Sequence, residues 1–434
     1  MLKLVFACVF LSSVFLTGQT PLVPSQVGTA SLTNEDVPSN VLSYGAAVSG
    51  SFDDNVTNPG NPSVGESNFS WSIQPHVRLA VNRTRWSTEL YYGPSFTYST
   101  NISAYDSTSH SAGADFDYHF TRRLSVTSRS SFSLTSTPFE SFQANAQLPD
   151  LGVLNRANSN SVGANLRNRL GQSQADLVYL LGRHTSLGIG GAFSSSRNES
   201  LNAGSITDTT QDFRGWSGHA FYSHQLTKPY SLGVQYAVRD LYSEATIGQF
   251  SSLSHQFLGF LNIALKSSVQ LSIFAGPEFS RVDNTLTLFA AQFPMQFHST
   301  TFAGGSNLAW RGEHSGLSLS FVQQVGDSGV NGAGSVIVRT ARVEAQRGLS
   351  RRSSLSLNGG YIGNHQFGPI TQPSLADYVS AGVSFSRTLS SRLTLLVSGT
   401  RQQLIGRPTL GFQQRSHDVA SVSLSYTLQQ PIGR

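Results

Sequence analysis

Charge is scarce in this sequence. Only 12% of its 434 residues are Asp, Glu, Lys or Arg, about half the share carried by a soluble domain, so an ordinary charged surface is not what keeps the chain dispersed. Cysteine is nearly absent, and the single thiol, Cys8, lies at the extreme N-terminus. The rest of the chain therefore has no disulfide, no thiolate metal site and no cysteine nucleophile. Long apolar runs are missing as well. Beyond the N-terminus nothing approaches the roughly 18 residues of a spanning helix, which excludes a helical membrane protein. Intrinsic disorder is excluded by an aromatic share of 10%, because disordered chains have few aromatics and much charge.

What is present is Ser, Thr, 40 Gly and a mean hydropathy of −0.14. That composition suits residues alternating between lipid and water. The N-terminus supplies the compartment. Lys3 is followed by an apolar stretch, Leu4 to Leu16, interrupted only by Ser12 and Ser13, and then by Thr17, Gly18 and Pro21. This pattern predicts a secretory signal peptide over residues 1–20, cut near Gly18 to Thr20 or, alternatively, at Ala30. Cys8 sits inside the apolar core of that signal rather than after it, which argues against lipid attachment. Residues 21–40, rich in Pro, Ser and Asn, read as a flexible periplasmic segment. Loss of Lys3 leaves a charge of about +4, too weak a balance to indicate nucleic acid.

From there the chain settles into period 2. Phe69, Trp71, Ile73, Pro75, Val77, Leu79 and Val81 alternate with Ser70, Ser72, Gln74, His76 and Arg78, which makes a strand with one greasy and one wet face. The pattern restarts at Trp86 after Asn82-Arg83-Thr84-Arg85, as in a hairpin. Further tight turns are predicted at Thr121-Arg122-Arg123, Arg183-His184-Thr185, Lys228-Pro229, Lys266-Ser267, Gly312-Glu313, Gly348-Leu349 and Ser390-Ser391. With a first strand near 42–52 and a last near 418–428, this gives about 18 antiparallel strands of about 9 to 12 residues, joined alternately by short turns and longer loops. Strands 10 and 14 alternate poorly, so 16 is the alternative. The predicted fold is an all-β, transmembrane, up-and-down barrel over residues 41–428, with short periplasmic turns, long extracellular loops and a periplasmic tail at 429–434. A soluble sandwich would show the same alternation, but its strands centre near 5 to 6 residues. Trp71, Trp86, Tyr98, Trp216, Tyr222, Tyr230, Trp310, Tyr361 and Tyr426 fit two interfacial girdles.

With the apolar parity facing lipid, Arg78, Glu89, Asp115, Asp117, Arg129, Arg239, Glu278, Arg342 and Glu344 become candidate lumen residues, among serines such as Ser318, Ser356, Ser384 and Ser423. Charges facing the hydrocarbon midplane would cost about 2 to 4 kcal/mol each. They serve either a solvated channel or cross-strand pairing that stiffens the wall. Two segments are candidates to constrict the lumen: 136–173, with Phe139, Phe142, Leu148, Leu151, Val153 and Leu154, and 282–297, with Leu286, Leu288, Phe289, Phe293 and Met295. Alternatively, both simply extend their strands above the membrane. The short turns carry Arg83, Arg85, Arg122, Arg123, Arg183, Arg351, Arg352 and Arg392, a basic periplasmic rim suited to an anionic polymer, an acidic partner or phospholipid headgroups. Most acids fall in the long loops.

Catalytic patterns are not found. His219 and His224 share a strand with opposite parity, His417-Asp418 are adjacent, and Gly-Val-Asn-Gly-Ala-Gly at 329–334 is a loop tip rather than a phosphate cradle. The sequence predicts no catalytic, cofactor-binding or metal site.

The Arg-bearing turns Thr121-Arg122-Arg123-Leu124 and Arg387-Thr388-Leu389-Ser390-Ser391-Arg392-Leu393, with the final strand Val422, Leu424, Tyr426, Leu428, resemble the outer-membrane β-barrel porin families of Gram-negative bacteria. The resemblance is strongest to the barrels encoded with exopolysaccharide secretion machinery. It spans about residues 41–428 and is architectural. The usual terminal aromatic is displaced by Gln429 to Arg434. The resemblance implies an outer-membrane location, a lipid bilayer around the barrel, and passage or export of polysaccharide or other polar solutes beside a periplasmic polysaccharide-export protein. The alternatives are a general diffusion porin or uptake channel, and a non-conducting structural barrel or adhesin.

Overall fold

The computed structural model describes residues 40–58, 61–101, 106–135, 166–200, 211–245, 248–266, 268–288, 291–327, 335–366, 377–405 and 416–432. Every element among them is a strand. The first nine are β1 (Val41–Asn58), β2 (Asn61–Asn82), β3 (Trp86–Ser99), β4 (Ser107–His119), β5 (Leu124–Thr135), β6 (Leu166–Leu180), β7 (Thr185–Ser200), β8 (Gln211–Thr227) and β9 (Tyr230–Ala245). The others are β10 (Gly248–Lys266), β11 (Val269–Leu288), β12 (Ala291–Arg311), β13 (Ser315–Asp327), β14 (Ser335–Ser350), β15 (Ser353–Gln366), β16 (Asp377–Ser390), β17 (Leu393–Ile405) and β18 (Ser416–Pro431).

Each strand pairs antiparallel with its sequence neighbours, and β1 pairs with both β2 and β18, so the 18-stranded sheet closes on itself. Closure matters because hydrocarbon offers no partner to a backbone N–H or C=O. The seam runs from Val41↔Pro431 to Asp53↔Val419. An even count in up-and-down order places the eight short turns and both barrel termini at one end, the turn end, and the other connections at the opposite loop end.

Eighteen strands are present, not sixteen. β10 alternates poorly because its inward positions include Phe250, Leu258 and Phe260, all buried. Apart from β5, at 12 residues, the strands are also longer than the alternation suggests, reaching 22 in β2. Apolar alternation stops where the hydrocarbon stops, whereas backbone pairing continues into polar sequence. Three of the nine loop-end connections therefore shrink to two residues: β2 resumes at Asn61 after Asn58, β10 at Gly248 after Ala245, and β12 at Ala291 after Leu288. The segment 282–297 is not an inward-folded loop, because the β11–β12 ladder continues through it to Leu288↔Ala291. Within 136–173, residues 166–173 belong to β6, and the remainder lies outside the described residues.

The turn expected at Gly348-Leu349 sits at Arg351-Arg352, where Arg352 N donates to Ser350 Oγ at 3.2 Å. Serine supplies a side-chain acceptor that closes the turn, and glycine has none. Ser390 does the same for Arg392 at 3.3 Å. β18 continues to Pro431 opposite Val41, so residues 429–431 lie in the ladder rather than in a tail.

Large apolar side chains of one parity are exposed: Tyr44, Val48 and Phe52 on β1, Phe69, Trp71, Ile73 and Val77 on β2, Leu90, Tyr92, Phe96 and Tyr98 on β3, and so on around the ring. A contiguous surface of this kind on a monomer is satisfied by lipid. Trp71 stacks on Tyr98 at the loop end, with ring centroids 4.6 Å apart, and Trp86 is in register with Tyr118 at the turn end. Along β3 the twelve steps from Trp86 to Tyr98, at about 3.3 Å each and tilted about 45°, separate the two girdles by roughly 28 Å, close to the height of an outer-membrane apolar band. Trp86 and Tyr361 are half-buried on this face, and the other seven expected girdle aromatics are exposed.

Leu79 has the outward parity and Ser423 the inward one. Leu79→Arg is expected to cost about 2 to 4 kcal/mol if it lies near the midplane and to reduce insertion into vesicles, while Ser423→Arg inserts normally. Equal folding yields for the two variants, read by heat-modifiable gel migration, would contradict the assignment of faces.

Candidate functional site

The inward wall of the barrel has two sectors. On β7 to β11 the inward side chains are buried, among them Ser194, Ser196, His219, Gln235, Arg239, Ser254, Gln256, Ser272 and Glu278. Apolar groups join them: Phe221, Leu258, Phe260, Phe274 and Ala303 form one cluster, with Val178 and Val322 packed against it. Apolar residues therefore do not all face lipid, as the parity reading assumed. On β15 to β18 and β1 to β5 the inward positions are mostly half-exposed and small, as at Ser43, Ser49, Ser51, Ser356, Ser384, Ser421, Ser423 and Ser425. Rows of these hydroxyls bond to one another across strands: Ser49 to Ser72 at 2.7 Å, Ser51 to Ser70 at 2.7 Å, Ser356 to Ser384 at 2.6 Å and Ser398 to Ser421 at 2.6 Å.

Five of the nine expected lumen charges gather in one patch on β2 to β5. Arg78 Nε lies 2.7 Å from Glu89 Oε1, with both side chains about one-third exposed. Glu89 is in register with Asp115, and Asp115 with Arg129. Asp117 accepts a hydrogen bond from Ser87 Oγ at 3.4 Å. Tyr91 stands among them on β3. A Cβ on Gly113 would fall 2.0 Å from its ring, so the close approach depends on glycine. Arg342 and Glu344 share one face of β14, beside Ser320 and Gly360 and beside Ser318 and Asn358 respectively, next to the half-exposed sector and apart from the five. Arg239 and Glu278 belong to the packed sector, 2% and 0% exposed, and they hold a backbone segment of β13.

The sequence reading missed a second buried group. Gln174 Nε2 donates to Asp176 Oδ2 at 2.7 Å, and Asp176 Oδ1 lies 2.9 Å from His219 Nε2, with Asp176 and His219 side chains each 4% exposed. Asp176 is on β6 and His219 on β8, so the contact crosses β7. Gly190 makes this crossing feasible, because a Cβ there would sit 2.1 Å from Asp176 Oδ1 and 2.6 Å from His219 Cε1. An inward glycine on a strand between two inward polar residues was the available signal. It becomes legible only once the register Asp176↔Gly190↔His219 is known. His224, of opposite parity, pairs instead with Thr185 Oγ1 at 2.9 Å. Among the described residues, no three His, Cys, Asp or Glu are grouped to hold a metal ion.

Arg83, Arg85, Arg122, Arg123, Arg183, Arg351, Arg352 and Arg392 are all exposed at the turn end. Backbone capping organises these turns: Thr121 Oγ1 accepts from Arg123 N at 3.1 Å and Leu124 N at 3.0 Å, which leaves the guanidinium groups free to point outward. Acids gather at the other end, where Asp53, Asp54, Asp106, Asp212, Glu244, Asp283 and Asp418 lie on strand ends or next to loops.

No protein-family model matches the chain, and no curated protein does. Among solved structures it is similar to a BenF-like porin from Pseudomonas fluorescens Pf-5, at 9% identity over 90% of this chain and 99% of that one, with a TM-score of 0.40. It is also similar to OccK2 (OpdF) of Pseudomonas aeruginosa, at 12% identity over 90% and 98%, with a TM-score of 0.39. A third is the ferric-catecholate import receptor Fiu from E. coli K12, at 6% identity over 89% and 81%, with a TM-score of 0.45.

Gly190→Val should displace the Asp176–His219 contact. The overpacked wall is expected to lose about 1 to 3 kcal/mol, read as a lower urea midpoint in detergent. An unchanged midpoint would mean that β7 can move aside.

Proposed function

We propose that this protein is an outer-membrane pore for polar solutes. The observation that carries the reading is the combination of a lipid-suited belt outside and, inside, a half-exposed wall of small hydroxyl side chains. A serine row satisfied by its own neighbours is pre-organised. A passing solute exchanges water for wall hydroxyls one at a time, so no single site binds tightly enough to hold it. The charged patch of Arg78, Glu89, Asp115, Asp117 and Arg129 has two cations against three acids and lies on one side of this wall. It would give the lumen a transverse field and a mild preference for cations, with Arg342 and Glu344 adding a balanced pair on β14.

A finer reading is export of polysaccharide, and its support is the basic turn end. If that end faces the periplasm, Arg83, Arg85, Arg122, Arg123, Arg183, Arg351, Arg352 and Arg392 would raise the local concentration of an anionic polymer or an acidic polysaccharide-export protein at the mouth. Anionic phospholipid headgroups would satisfy the same cations. Uptake of small solutes through a general porin needs no partner. The packed sector favours this second reading because it narrows the cross-section available to a polymer. Deleting the gene separates the two: unchanged secreted polysaccharide would remove the export reading and leave the porin.

Single-channel recording of the refolded mature chain in a planar bilayer tests the pore itself. Resolved steps are expected, and Glu89→Lys should shift the reversal potential in a salt gradient toward anion preference. Silence from protein shown to be folded and inserted would leave a structural anchor in place of a pore.

A further inference from the structure

β12 and β13 part company halfway up the barrel. Their ladder runs from Arg311↔Gly316 to Gly304↔Gln323 and stops, although both strands continue, β12 to Ala291 and β13 to Asp327. Continued register would pair Phe302 with Val325. Instead, Gln323 Nε2 donates to Phe302 O at 3.0 Å, taking the acceptor that Val325 N–H would have used. Val325 N donates to Glu278 Oε2 at 3.0 Å, and Val325 O accepts from Arg239 Nη1. Arg239 Nη2 also reaches Gln324 Oε1 at 3.2 Å.

A residue's N–H and C=O point to the same side of an antiparallel strand. Here two inward side chains from beyond β12, on β9 and β11, replace the two backbone groups of the missing β12 partner. Gln256 of β10 completes the holder by donating to Glu278 Oε1 at 2.9 Å. The separation is therefore not simple fraying, because Phe302 O on one strand and both backbone groups of Val325 on the other have specific side-chain partners. Alternation would place Val325 with the outward set of Leu319 and Phe321, which are 39% and 43% exposed, yet Val325 is 1% exposed. The end of β13 has parted from β12 while staying paired with β14 as far as Asp327↔Ser335, and the Val325 backbone lies against inward side chains of β9 and β11. Buried charges cost free energy unless they are matched, so Arg239 and Glu278 are retained in the wall at a cost that the Val325 backbone offsets.

We propose that this end of β13, at Gln324 and Val325, is a gate that decides the size of solute the pore passes. In the structure it is latched inward by Arg239 and Glu278 and narrows the lumen. Released, it zips onto β12, Val325 returns to the lipid-facing set beside Phe302, and the lumen widens. Both states satisfy the backbone of Val325, which makes the element two-state rather than loose. Arg239 and Glu278 are positioning residues, since they act through β13. The inference rests on the pore reading.

The test uses the full mature chain in planar bilayers. Arg239→Ala removes one wall side of the latch, and Gln324→Ala removes a contact from the gate side. The second position lies outside the β12 ladder and leaves the Val325 N–H available to Phe302 O, so barrel closure is preserved if the first variant folds poorly. Larger conductance steps, with loss of the smaller step, are expected in both. A second readout is the rate of disulfide formation between Phe302→Cys and Val325→Cys in this mature chain, expected to rise when Arg239→Ala is added. Steps of unaltered size in folded latch variants overturn the gate and leave the pore standing, whether or not the cross-linking rate changes. Silence of the parent and of every variant overturns the pore and the gate together.

Discussion

The structure depends on one constraint: a backbone polar group inside hydrocarbon must find its partner in the protein. A sheet meets this only by closing, and the β1–β18 ladder is where closure is achieved. Once the ring is closed, every strand has an inside and an outside, and each side chain's parity becomes a choice between lipid and lumen. The exposed aromatics and aliphatics of one parity and the serines of the other are two consequences of the same closure.

The same constraint explains the exception. Where β12 and β13 separate, backbone groups are released and the rule still has to be met. It is met by side chains: Gln323 on one strand, Arg239 and Glu278 for the other. Fully buried charges are costly in a protein interior, so their position against the N–H and C=O of one residue, Val325, is the clearest sign that the separation is part of the architecture. The Gln174–Asp176–His219 group applies the same economy of partners across β7, with Gly190 leaving the room.

The interior is consequently asymmetric. One sector is packed by buried polar groups and an aromatic cluster around Phe221, Phe260 and Phe274. The other is lined by short hydroxyl side chains with solvent access. In the proposed pore, passage follows the second sector and the first supplies rigidity. The basic turn end and the acidic loop end add a polarity along the axis, which orients the barrel relative to whatever charged surface or solute meets each mouth.

Much of this was legible from the order of residues. Alternation such as Phe69, Trp71, Ile73 against Ser70, Ser72, Gln74 determines strand, face and length of the lipid belt, because lipid and water act on each side chain separately. The turn at Thr121-Arg122-Arg123 is equally local, since its closing bonds span three residues. Strand ends were less legible: β11 and β12 pair well past the apolar belt because backbone pairing needs no apolar side chain. β10 looked irregular because Phe250, Leu258 and Phe260 answer to partners on other strands. Sequence alone thus determined the barrel, its two faces and its basic rim, all set by each residue's own transfer between lipid and water. Only the tertiary structure decided which inward residues meet, which sector fills and where β13 parts from β12. Those outcomes depend on the register between strands that are up to hundreds of residues apart, as at Val41↔Pro431, and a side chain carries no information about its register partner until the ring has closed.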